Sequence, residues 1–154
     1  SDYIINLMGS RFNLIEGNIF GRCTVQTAVI SITQSGAGSV DTTSVFNNDM
    51  HNNNGLLVNT NGGKSIKIAN NNITFLNGDA FLLNGSSQTS INDNMFEAAS
   101  GYEGNVVIQI NNGAGHALSN NTFYDLFQGT SIVVNNVPPG SYQLANNFAY
   151  PILD

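Results

Sequence analysis

One short motif recurs six times along this chain: hydrophobic-x-x-Asn-x-hydrophobic. It runs from Ile15 to Phe20, Val45 to Met50, Ile68 to Ile73, Ile91 to Phe96, Leu118 to Phe123 and Leu144 to Ala149. The central asparagines are Asn18, Asn48, Asn71, Asn94, Asn121 and Asn147, and by subtraction they lie 30, 23, 23, 27 and 26 residues apart. A period of this size is the signature of a stacked array, in which each unit buries its apolar face only against its neighbours.

Short apolar runs lie between the motifs and keep the same register. They are Val29 to Thr33, Gly55 to Asn59, Ala80 to Asn84, Val107 to Asn111 and Ser131 to Asn135. Aligning their ends yields two apolar columns. One is Ile30, Leu56, Phe81, Ile108 and Ile132; the other is Ile32, Val58, Leu83, Ile110 and Val134. Spacing of two residues places both columns on one face of a strand. The runs are short and rich in Val, Ile and Leu, which favours strands over helices. A Gly- or Asn-rich turn cluster follows each one, as in Asn59 to Gly63 or Asn111 to Gly115. No stretch sustains a helical apolar stripe, and Pro138-Pro139 opposes a helix near the end.

The expected fold is all-β: a right-handed single-stranded parallel β-helix of about five to six coils, with up to three short strands per coil. At a strand spacing of about 4.8 Å, six coils make a rod about 29 Å long. The asparagines have a physical role in such a stack. In-register amides can hydrogen-bond from coil to coil, and Asn tolerates the left-handed backbone of sharp bends. Asp93 is expected to serve as a turn residue in place of Asn, and His116, aligned with Ile66, Thr89 and Tyr142, to point inward. Residues 1–154 read as a single β-helix domain, and the chain, which starts at Ser1, reads as a fragment of a longer one.

Charged residues make up only 9% of the chain, so asparagine carries the polar role. The net charge of −6, with Arg11, Arg22, Lys64 and Lys67 scattered, argues against nucleic acid or an anionic membrane as partner. No apolar stretch reaches membrane-spanning length. Cys23 stands alone and reads as a core thiol. One Cys and two distant His do not make a zinc site, and no metal or other cofactor is expected.

Between the two inward columns lie Ser31, Leu57, Leu82, Gln109 and Val133. Three of these five are aliphatic where a solvated sheet shows polar residues, so Leu57, Leu82 and Val133 are read as an oligomer interface. A neighbouring loop lying over the sheet is the alternative.

The stretch GLLVNTNGGKSIKIANNNITFLNGDAFLLNGSSQTSINDNMF resembles the right-handed β-helix repeats of the pectin-lyase-like superfamily, and the resemblance covers Ile15 to Ala149. Within that superfamily, the low charge and apolar outward stripe look like a piece of a phage tailspike or tail-fibre protein. The resemblance implies a homotrimer on a virion tail that binds, and in many cases cleaves, bacterial surface polysaccharide. It equally allows a secreted enzyme or a purely structural segment of an adhesin, because one fold hosts many functions.

A lyase of this superfamily would need aspartates holding calcium beside a basic residue, and no acid cluster surrounds Arg22, Lys64 or Lys67 by register. A glycosidase needs two carboxyl groups about 5 to 9.5 Å apart. Glu97 and Asp125 leave the same bend on adjacent coils and are the candidate catalytic pair. Tyr102, Glu103 and Tyr124 lie near them in sequence, and His51 occupies the position of Glu97 two coils earlier, so these four are the candidate glycan contacts. The plainer reading is that these acids solvate a turn.

Overall fold

The computed structural model describes residues 3–34, 41–99, 106–124 and 130–150. Eighteen short strands and no helix occur among them. The first coil holds β1 (Tyr3–Met8), β2 (Arg11–Glu16) and β3 (Ile19–Gly21). The second holds β4 (Thr24–Thr33), β5 (Asp41–Phe46) and β6 (Asp49–His51), and the third β7 (Asn54–Asn61), β8 (Lys67–Ala69) and β9 (Asn72–Leu76). Then come β10 (Phe81–Asn84), β11 (Ser90–Asn92) and β12 (Met95–Ala98), followed by β13 (Val106–Asn111), β14 (His116–Ser119) and β15 (Thr122–Tyr124). The last coil is β16 (Thr130–Asn135), β17 (Tyr142–Ala145) and β18 (Phe148–Tyr150). Every third strand pairs in parallel, which makes three six-stranded sheets: the first from β1 to β16, the second from β2 to β17, the third from β3 to β18. The chain is an all-β parallel solenoid of about five turns.

The motif asparagines form a continuous ladder inside the bend between the second and third sheets. The Nδ2 of Asn18 donates to Oδ1 of Asn48 at 3.1 Å, Asn48 to Asn71 at 3.0 Å, and Asn71 to Asn94 at 2.9 Å. Asn94 donates to Asn121 at 3.0 Å and Asn121 to Asn147 at 2.8 Å. Each acceptor oxygen takes a second bond from the backbone N–H of the preceding asparagine in the ladder, as in Asn71 N to Asn94 Oδ1 at 3.1 Å. Each Nδ2 from Asn48 onward also donates back to a carbonyl of the previous coil, as in Asn71 to Val45 O at 3.0 Å. A buried amide is costly unless satisfied, and the middle rungs use all of their hydrogen-bonding capacity. The residue before each rung is left-handed: Gly17, Asn47, Asn70, Asp93, Asn120 and Asn146 all have positive φ. Asp93 therefore does the turn work expected of it.

The lumen is apolar. Ile30, Val58, Phe81 and Ile108 align in the first sheet, and Val45, Ile68, Ile91 and Leu118 in the second. In the third, Met50, Ile73, Phe96 and Phe123 align, and the rings of Phe96 and Phe123 stack with centroids 4.9 Å apart. His116 lies inside, in line with Tyr142, as its column position required. Cys23 is half-buried against the core, and burial pushes its thiol pKa up.

The third coil departs from the expected register by two residues. Val58, not Leu56, pairs with Phe81, and Thr60 occupies the place expected of Val58. The cause is the residue that ends the run: Asn61, not Asn59, pairs with Asn84 and with Thr33, and from the Ala28–Leu56 pair onward the register is regular. Leu57 thereby falls in one column with Val29, Ala80 and Val107, all 0% exposed like itself, so it cannot be an outward interface residue. Thr60 is tolerated in the core because its hydroxyl meets Ser86 Oγ, which in turn donates to Gly62 O. The outward column is Asn6, Ser31, Asn59, Leu82, Gln109 and Val133. Leu82 and Val133 do face outward, both half-buried, but Gln109 separates them and the aliphatic stripe is broken.

Replacing Asn71 with Ala should strand two buried Asn48 donors and cost about 3 kcal/mol, read from urea unfolding; a loss below about 1 kcal/mol would show that the ladder is not a principal coil-to-coil bond. Leu57→Asp should cost about 4 kcal/mol or more, and Leu82→Asp only about 1 kcal/mol. Equal effects would contradict the inward placement of Leu57. His116 has its pKa lowered by burial, opposed by its contact with Asn112 O. The native state thus resists protonating it. Stability is full above the unfolded value of about 6.5 and falls as pH drops through 6.5 towards the lowered folded value. Thermal melts should show this pH-dependent loss in the native chain and less of it in His116→Ile; identical pH profiles would refute the assignment.

Candidate functional site

The outward face of the third sheet carries the residues that sequence spacing singled out. One column runs Gly21, His51 and Thr74, continuing to Glu97 and Tyr124. His51 does lie two coils before Glu97, and Tyr124 is directly beside Glu97 on the next coil. At about 4.8 Å per coil, Glu97 is about 10 Å from His51 along the rod. Asp49, in the adjacent outward column, places Oδ1 3.7 Å from Nδ1 of His51. Gly21 leaves room for the imidazole, since a Cβ there would come within 2.5 Å of His51 Nε2.

Asp125, Tyr102 and Glu103 lie outside the described residues, so the Glu97–Asp125 pair has no measured separation. Among the described residues no three His, Cys, Asp or Glu side chains converge.

A groove of about 330 Å³ opens beside this column, at the bend that returns the chain from the third sheet to the first. It is lined by Arg22, Thr24, Asn52, Asn53, Phe75, Asn77 and Ala99. Arg22, Asn52 and Phe75 share a backbone role. Each is the left-handed residue just after a third-sheet strand position, with φ of 56°, 53° and 54°. Asn52 suits that conformation. Phe75 does not, because left-handed backbone brings Cβ against the following carbonyl at a cost of about 1–2 kcal/mol. The position ends with this coil: between the pairs Ile73–Phe96 and Leu76–Ala98, β12 holds one residue fewer than β9 and has no counterpart of Phe75. The bend shared with Arg22 and Asn52 sets the Phe75 ring outward, where it is 51% exposed.

Arg22 sits about two strand spacings, roughly 10 Å, from Phe75, with Asn52 between them. Among the described residues no carboxylate pairs with Arg22; the ion pairs there are Arg11 with Asp41 and the His51–Asp49 contact. Asn53 is fixed from below, accepting from Cys23 N at 2.9 Å and donating to Phe20 O at 2.8 Å. The groove thus combines an exposed aromatic face, a cation that pairs with no carboxylate among the described residues and two exposed amides, Asn52 and Asn77, on a rigid floor.

Sequence reasoning missed this groove. Phe75 stands in the apolar run Ile73-Thr74-Phe75-Leu76 and reads as core, and only the mismatch in length between that run and Phe96-Glu97-Ala98 marks it as extra. No family model, no curated protein and no solved structure matches the chain, so the class that its structure defines is architectural: a three-sheet parallel β-solenoid.

Proposed function

We propose that this solenoid is a polysaccharide-recognition module of the tailspike-like kind, reading bacterial surface glycan along the outward third sheet and the groove beside it. The observation that carries the reading is Phe75. An aromatic ring is held in solvent by a left-handed backbone, at a position where the preceding coil uses Asn52. The bend itself belongs to the fold, since Arg22 and Asn52 adopt it on the two preceding coils; what distinguishes Phe75 is an apolar ring set in solvent at the edge of a groove. A flat apolar ring flanked by amides and a guanidinium matches a sugar, whose ring faces are apolar and whose edges carry hydroxyls. Glu97, His51 and Tyr124 line the adjoining strand face and extend the contact surface along the rod. Straight grooves parallel to a solenoid axis suit a linear polymer, since each coil adds a contact at a fixed spacing.

The same resemblance brings a homotrimer on a virion tail into the proposal. With Leu57 buried, the trimer contact would rest on Leu82, Val133 and their surroundings. Light scattering tests it: three times the chain mass supports the trimer and a single chain mass removes it.

Phe75→Asn separates function from folding. The variant should be as stable as the native chain or more so, since Asn accepts φ near +54°. Its affinity for purified surface polysaccharides, measured by calorimetry, should fall about tenfold or more, the loss of roughly 1.4 kcal/mol of stacking contact. Unchanged affinity in a stable Phe75→Asn protein, or no binding by the native protein to any such polysaccharide, would overturn the reading.

A further inference from the structure

A second groove, of about 410 Å³, lies on the other side of the first sheet, where the chain turns towards the second. It is lined by Gln34, Asn61, Gly62, Asn84, Gly85 and Asn112. Its shape follows from one column of the stack. Backbone bonds from Gln34 N to Asn61 O, Gly62 N to Asn84 O, Gly85 N to Asn111 O and Asn112 N to Asn135 O put Gln34, Gly62, Gly85 and Asn112 at one position on four successive coils. The two middle coils have no side chain there, and the outer two carry long amides. The result is a notch bounded by Gln34 and Asn112, three strand spacings or roughly 14 Å apart. Filling is excluded at Gly62, where a Cβ would come within 2.7 Å of Gln34 Oε1 and where φ is +79°.

The walls carry amides in defined states. On the outward column beside the notch, Asn135 donates to Asn111 Oδ1 at 3.0 Å and Asn111 donates to Asn84 Oδ1 at 2.8 Å. The ladder stops there. Asn84 does not pass its Nδ2 to Asn61, although the two residues are paired in register. Asn84 Nδ2 and the side-chain amides of Gln34, Asn61 and Asn112 make no hydrogen bond among the described residues. Four amides with open donors thus border the notch, the Gln34 side chain lying over Gly62 and Gly85 leaving bare backbone, and no lining residue is charged.

We infer that this notch is a second glycan subsite, selective for uncharged, hydroxyl-rich oligosaccharides. An amide offers a donor pair and an acceptor, which matches adjacent hydroxyls that are each donor and acceptor. A notch without charge gives an acidic sugar no counter-ion for its carboxylate, and the chain's net charge of −6 opposes its approach. The open backbone at Gly85, with nothing within 4 Å of its Cβ position, gives a sugar ring a floor to lie against. The inference rests on the polysaccharide reading for the class of ligand, and on its own geometry for the place and the selectivity.

The test is amide-detected NMR on the intact labelled chain, titrated with maltotriose, cellotriose, tri-N-acetylchitotriose and, for contrast, trigalacturonate. At least one neutral trisaccharide should shift the side-chain amide signals of Asn61, Asn84 and Asn112. The double variant Gln34→Ala/Asn61→Ala removes two exposed side chains and should weaken that binding about tenfold, as expected for two neutral hydrogen bonds. Phe75→Asn should leave it unchanged. Shifts confined to the groove around Phe75 would overturn the second subsite and leave the first reading standing. Shifts at the notch from trigalacturonate alone would overturn its selectivity for neutral sugars. Silence at the notch amides with every trisaccharide would overturn the subsite outright.

Discussion

Each coil is held to the next by the side-chain amide of one asparagine, and the rest of the structure depends on that contact. The motif residue sits at a bend, where the backbone must turn sharply and a sheet alone would leave donors and acceptors unpaired. Its amide takes the N–H and Nδ2 of the preceding rung, donates onward to the next rung and caps a carbonyl of the previous coil. Apolar side chains stacked inside the lumen supply most of the burial, but burial is indifferent to register. The ladder is not. A slip by one residue would break every rung at once, so the ladder fixes which residues face in and which face out.

Fixing one bend frees the others. The steps between rungs vary from 23 to 30 residues while the rungs stay in line. The variation is absorbed between the rungs, by bulges and loops. Both grooves arise there. One comes from a left-handed bend that sets Phe75 outward and that the next coil lacks, the other from two successive coils without a side chain at a shared position. Neither disturbs the core, because the bend at Phe75 leaves Ile73 and Leu76 on either side still buried. Groove-forming residues and scaffold are therefore separable in this chain, as a repeat fold allows.

The period and the two-residue alternation made the fold legible in the sequence, and the asparagines made the ladder legible. So was the column that brings His51, Glu97 and Tyr124 to one face, because it follows from counting residues after each rung. The third coil was misread by two residues. The run Gly55-Leu56-Leu57-Val58-Asn59 looks like Ala80-Phe81-Leu82-Leu83-Asn84, and nothing in it announces that Asn61, not Asn59, is the partner of Asn84. Phe75 was hidden because hydrophobicity reports what a residue prefers, whereas the left-handed bend decides where its side chain goes. The notch around Gly62 and Gly85 needs the register of four coils at once, and the spacing between them varies too much to be aligned by eye.

The ladder also has a direction. Every rung donates its Nδ2 towards the later coil and receives on Oδ1 from the earlier one. Aligned amides polarise one another, so the row behaves as a single oriented chain of dipoles rather than as separate bonds. A coil presented upside down would set donor against donor, and only one presented in the same sense can extend the row. The asparagines thus give the rod a molecular arrow, and a folded coil acts as an oriented template for the coil that follows it.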